Sequence, residues 1–258
     1  MIVRETPTSF ICIDQHDHAQ ISGTLAAHWQ PRYFEGTTWR PAVELAAAQH
    51  DRAWIPLDAA PIWNEAAQVP HSFLDYPPAP KVQHYQQGID EVAQLAPYAA
   101  LLCSLHYTAF PDLAKHAAGR AFLAAEAQRQ QQLKRELQLT TPAQEADLAF
   151  HLQLVKFTDN LSLYVCLNEP GVRKEQEYPW FRQGIPSSDQ FTFARQQLVQ
   201  AAWHGPDTVE LRPSPFPEVV PVRLRYRQVL KSRLATVGLR HSLQEAPVHE
   251  QEFQFISA

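Results

Sequence analysis

The chain has 258 residues, 45% of them hydrophobic and 19% charged, which is enough for one large domain with its own core and excludes a disordered chain. A formal net charge of −5 and a pI near 6.2 argue against a dedicated nucleic-acid binder, which carries a strongly basic face. Few glycines (8) and many prolines (21) suggest regular helices joined by stiff loops.

Ile2–Val3 and Phe10–Ile13, separated by Thr-Pro-Thr-Ser, read as a β-hairpin. A helix follows from the N-cap Asp14, with Ile21, Leu25 and Trp29 at helical spacing, and stops at Pro31. Pro41 opens a second, alanine-rich helix that runs to Asp51. Residues 52–80, with Trp54, Trp63 and repeated prolines, read as an ordered surface loop. Helices are expected near 81–95 and from Pro97 to Phe110, then a long exposed one over 112–138. Thr141-Pro142-Ala143-Gln144 combines a capping box with proline in the first turn, and that helix runs to Leu167. Residues 190–203 suggest one more helix, and Val209–Leu211, Val222–Tyr226 and Phe253–Ile256 suggest strands that join the N-terminal hairpin in one small sheet. Arg223, Arg225 and Arg227 alternate with apolar residues, as on the solvated face of a strand.

Cys12, Cys103 and Cys166 show no paired spacing and read as buried small apolar groups in a reducing compartment. No apolar run approaches the ~20 residues that cross a bilayer, and the first residues lack the pattern of a signal peptide. The expectation is a cytoplasmic protein with neither membrane nor nucleic acid as partner.

The informative residues are polar ones on apolar helical faces, because burying an unpaired histidine or carboxylate is costly. His18 shares a face with Ser22, Leu25 and Trp29, and His50 ends the stripe Val43, Ala46, Ala47, with Asp51 next. His106 follows Ala99, Leu102 and Cys103. Asp159 stands amid Leu148, Leu152, Val155, Ser162 and Cys166, where leucine is expected. Four helices that each point a His or Asp inward suggest a shared divalent metal, for which imidazole and carboxylate are usual ligands. His16 competes with His18 for that role, while His84 and His151 lie off the centres of their faces.

The order His18, His50–Asp51, Asp159 resembles the HD-domain superfamily of metal-dependent phosphohydrolases over residues 14–168. More narrowly, Gln15-His16-Asp17-His18, His50-Asp51-Arg52-Ala53-Trp54, Ser104-Leu105-His106-Tyr107 and Asp159 to Leu167 look like a family of functionally uncharacterised bacterial proteins. Arg52-Ala53-Trp54 depart from the Gly and Lys that follow the pair in many HD phosphohydrolases. The resemblance implies a mainly α single domain over 1–258: an HD-like helical bundle over 14–168, with a small β-sheet from the terminal segments 1–13 and 205–258.

It also implies hydrolysis of a phosphate ester of a small-molecule substrate by metal-activated water. His18, His50, Asp51 and Asp159 would hold the ion (Mn, Fe, Co, Ni or Mg), Asp51 would orient the water, and His106 would stabilise charge or transfer a proton. Arg32 and Arg52 are candidate phosphate clamps by charge and nearness in sequence. Two alternatives stand beside this one. The first is an HD-fold di-iron oxygenase with His106 and His84 or His151 at a second iron; the second is a non-catalytic metal-binding or structural domain.

Overall fold

Burial begins at the first residue: Met1 and Ile2 are buried, and the strand turns outward by Glu5. Strands β1 (Ile2–Glu5) and β2 (Ser9–Ile13) form the expected hairpin, closed by Thr6 Oγ1 donating to the Ser9 carbonyl at 2.9 Å. The computed structural model describes residues 1–217 and 219–258. Every residue of β2 is buried: Ile11 and Ile13 face the main core, while Phe10 and Cys12 face a smaller cluster with Val229 and Leu243.

The helical layer follows, in α1 (Gln15–Ala27), α2 (Arg40–Gln49) and the short α3 (Ile55–Ala59). After the small hairpin β3 (Trp63–Asn64) and β4 (Val69–Pro70) come α4 (Pro78–Leu95), α5 (Pro97–Thr108), α6 (Ala117–Glu136) and α7 (Pro142–Leu167). Proline stands in the first turn of α2, α4, α5 and α7, where a missing N–H costs nothing. The capping box of α7 forms as read, Thr141 and Gln144 each satisfying a backbone N–H of the other's turn. Helices α1 and α2 approach closely at Gly23, where a Cβ would stand 2.5 Å from that of Ala48.

The fold is α/β, and this corrects the expectation of a mainly α bundle with a small sheet. Strands β5 (Gln200–Trp203), β6 (Thr208–Arg212), β7 (Val220–Leu230) and β8 (Val248–Ser257) join the N-terminal hairpin in one six-stranded sheet, ordered β1-β2-β7-β8-β6-β5. The β6–β8 pairing is parallel and the others are antiparallel. Val220, Val222, Leu224, Phe253 and Phe255 share one core with Leu25, Val43, Leu102 and Val155 of the helices. The sheet is therefore one wall of the main core and not an appendage.

Helix α8 (Lys231–Glu245), broken at Gly238, lies in a segment read as β, and it covers the Phe10–Cys12 side through Leu243. The helix expected over 190–203 is absent: 3-10 turns lead to β5, because Arg195 and Gln196 adopt left-handed backbone with φ 52° and 63°. The loop expected over 52–80 contains α3 and the β3–β4 hairpin.

Two smaller expectations hold. Arg223, Arg225 and Arg227 lie on a solvated strand face and pair with Glu250, Glu252, Asp17 and Asp14. All three cysteines are free and buried. Among the described residues, no helix is long and apolar enough to cross a membrane.

Candidate metal centre

Four helical segments deliver the expected residues to one place. His18 comes from the first turns of α1, His50 is the residue that ends α2, and Asp51 starts the turn beyond it. His106 comes from the last turn of α5 and Asp159 from the middle of α7. His18, His50, Asp51 and His106 are buried and Asp159 nearly so. Two sets of donors lie within 4.8 Å of one another: His18, His50 and Asp51, and His50, His106 and Asp159.

Hydrogen bonding fixes which atoms are free. Ser162 Oγ spends its one proton on the Asp159 carbonyl at 2.8 Å, so at 2.7 Å it accepts from His18 Nδ1–H. The other ring nitrogen, His18 Nε2, then faces Asp51 Oδ2 at 2.8 Å, and that oxygen already accepts from Gln15 Nε2 at 2.9 Å. His50 Nδ1–H donates to the Ala47 carbonyl at 2.8 Å. Its Nε2 is buried without a hydrogen-bond partner, 3.3 Å from Asp159 Oδ1 and 3.7 Å from Asp51 Oδ2. In neutral imidazoles both Nε2 atoms are lone pairs aimed at carboxylate oxygens, so the cluster requires a cation, either a proton or a metal ion.

The electrostatics state the same requirement. Burial by itself would lower His50, but Asp51 and Asp159 override it and hold it up at about 9. Burial would raise Asp159, yet His50 above all holds it down at about 2, and Asp51 is lowered by His50 and His18. His106 is pushed down to about 4 by burial and stays neutral. Its Nε2 stands 3.8 Å from Asp159 Oδ2, and its Nδ1 is buried without a partner.

The donor spacing suits a single ion. Ligand bonds of ~2.1 Å set at about 90–109° place neighbouring donor atoms ~3.0–3.4 Å apart, inside the 2.8–3.7 Å range seen here. With His50 Nδ1 committed to a carbonyl, Nε2 is the one His50 donor common to both sets, so they meet at a single ion rather than each holding its own.

The remaining candidates do other things. His151 is a satisfied core histidine, donating to the Glu35 carbonyl at 2.8 Å and accepting from Tyr98 at 2.7 Å. Neither it nor His84 belongs to either donor set. His16 lines a separate cavity of about 480 Å³ with Asp14 and Asp17. Arg52 pairs with Glu91 at 2.7 Å, and exposed Arg32 stacks on Tyr33, so neither is a phosphate clamp.

A cavity of about 730 Å³ opens onto the cluster, with His18, Asp51, His106 and Asp159 in its wall. Lys156, one turn ahead of Asp159 on α7, also lines it and went unnoticed in the sequence. Gln15 was equally overlooked as a partner of Asp51.

No curated protein and no solved structure matches the chain. The resemblance to HD-domain phosphohydrolases is not sustained, because the family found is another one and a six-stranded sheet is foreign to a helical bundle. Residues 1–231 match the family described as Protein of unknown function (DUF3891), and the chain belongs to that family.

Proposed function

We propose that the chain is a metal-dependent hydrolase of a phosphate ester, with one divalent ion (Mn, Fe, Co, Ni or Mg) held by His18, His50, Asp51 and Asp159. One observation carries this reading: His50 Nε2 is buried, unpartnered and aimed between two carboxylates. When bound, such an ion supplies Lewis acidity toward a phosphoryl oxygen and lowers the pKa of water. Ser162 and the Ala47 carbonyl fix the two histidine tautomers so that both Nε2 atoms face inward. Gln15 steadies Asp51, which is placed to orient a water and take its proton. His106 is neutral and faces the cavity, so it can donate its N–H to charge that develops on the ester. Lys156 in the cavity wall, which forms no ion pair among the described residues, favours an anionic substrate.

The test is elemental analysis of the purified chain and of Asp159→Ala, joined to a phosphoester panel run with each of the five metals. Expected are about one ion per chain, its loss in the variant, and turnover of at least one ester. Bound metal without turnover of any ester overturns the hydrolase reading. Asp51→Asn separates a structural ion from a catalytic one, since the first case costs melting temperature and the second costs turnover with the fold kept.

A further inference from the structure

Beyond the metal cluster, the cavity wall carries six aromatic rings set among charged and polar side chains. Trp54, Phe73, Tyr76, Tyr85, Phe110 and Trp180 all line it. Leu74, Phe110 and Trp180 are 48%, 37% and 43% exposed, so apolar side chains are left uncovered around the mouth of a charged site. Isolated exposed apolar residues are ordinary, but a cluster rimming a cavity marks a binding surface. The volume, about 730 Å³, falls within the roughly 300–1,000 Å³ of small-molecule sites.

Lys156 supplies the complementary charge. It is half-buried on α7 and lines the same cavity as His106. Among the described residues it forms no ion pair with a carboxylate, and burial lowers the pKa of its ammonium group. Lys115, by contrast, pairs with Asp112 at 2.5 Å, and Asp75 and Asp112 act on Lys81. A half-buried ammonium without a carboxylate partner, in the same cavity wall as the proposed metal ligands, is a ready partner for a phosphate oxygen.

We propose that the substrate is a phosphate ester of a flat aromatic alcohol. Its phosphate lies between the metal cluster and Lys156, and its ring lies among Tyr76, Phe110 and Trp180. This rests on the hydrolase reading above. The aromatic choice follows from the wall, where rings outnumber the aliphatic Leu74, Leu113 and Leu163 and can meet a flat guest face-on or edge-on. In the reaction, water oxygen forms a new bond to phosphorus and the bond from phosphorus to the aryl oxygen breaks. That oxygen leaves with its electron pair and takes a proton, so water and ester become phosphate and a phenol.

Calorimetric titration of the metal-loaded chain with phenylphosphonate and methylphosphonate, neither of which can be hydrolysed at an ester bond, tests the pocket apart from turnover. Phenylphosphonate should bind at least about tenfold tighter than methylphosphonate, and Trp180→Ala should erase most of that preference. Lys156→Gln should weaken both about tenfold or more with metal content and melting temperature unchanged. Equal affinity for the two phosphonates, or a Lys156→Gln chain that binds as well as the wild type, overturns the inference. Failure of the two proposals is distinguishable. Selectivity kept without turnover of any ester leaves the aryl-anion pocket standing and sinks the hydrolase reading alone. Turnover of glycerol phosphate as fast as phenyl phosphate does the reverse.

Discussion

At the scale of single residues, His50 links the charge of the site to the stability of the chain. Folded, it keeps its proton up to about pH 9; unfolded, it releases it near its ordinary value of 6.5. The folded state therefore binds more protons across that window. The stabilisation is complete below about pH 6.5 and is lost as the pH rises through about 9. In the proposed site a metal ion would take the place of that proton. Metal-free chain should thus show a melting temperature that falls from pH 6.5 to 9, and saturating divalent metal should flatten the slope. His50→Gln should lose most of that slope, and a metal-free wild type no steeper than the variant would refute the assignment. Ser162 makes a second prediction. Its Oγ holds His18 in the tautomer that presents Nε2 to Asp51, so Ser162→Ala should weaken metal binding by roughly 10–100-fold while leaving the ligands in place. Competition titration with a chromophoric chelator reads this directly, and an unchanged affinity would remove Ser162 from the site.

At the scale of elements, the site depends on how closely α1 and α2 approach, since one carries His18 and the other ends at His50. Ala48 fills the space above Gly23, with its Cβ 2.5 Å from where a Gly23 Cβ would stand. Gly23→Ala should force the helices apart, costing roughly 1–3 kcal/mol and loosening the metal as well. Adding Ala48→Gly should recover part of both losses, as thermal melts and metal titration would show. The helical layer was legible because it obeys local rules: the capping box at Thr141, the prolines that open helices at Pro41, Pro97 and Pro142, and apolar stripes. His18, His50, Asp51, His106 and Asp159 were legible for a related reason, each being a costly polar group on a stripe meant for burial. Lys156 was not, because a lysine on a helix is unremarkable until a cavity is known to lie beside it. The sheet was underread. The first residues of β8, Val248 to Glu250, are exposed, and its pairing with β6 spans the chain between residues 208 and 257, so nothing local announces it. The left-handed turn at Arg195 and Gln196 hid β5 behind a helix-like composition. The order of ligands along a chain is a one-dimensional pattern, and here it pointed to a scaffold that the sheet excludes.

At the scale of the whole molecule, the last strand holds the sheet together. β8 lies between β7 and β6, and β6 has β5 as its other neighbour. Without β8, β5 and β6 lose their link to the rest of the sheet, and Phe253 and Phe255, both almost wholly buried, leave the core. The family match nevertheless ends at residue 231, before that strand begins. Removing a buried phenylalanine side chain typically costs ~3–5 kcal/mol, against a total stability of roughly 5–15 kcal/mol for a domain. Losing two, together with the ladders on both sides of β8, should exceed what the chain can spare. A chain ended at Lys231 should therefore show no cooperative thermal transition and no fixed aromatic signal in near-ultraviolet circular dichroism. The milder Phe255→Ala should fold but melt earlier, by about 3–5 kcal/mol in denaturant titration. The metal centre should follow the sheet, because α1 packs on β7 and α7 on β1, and those helices carry His18 and Asp159. A 1–231 chain that melts cooperatively and binds metal like the whole would show that the helical layer stands without β8, and the joint core described above would have to be divided.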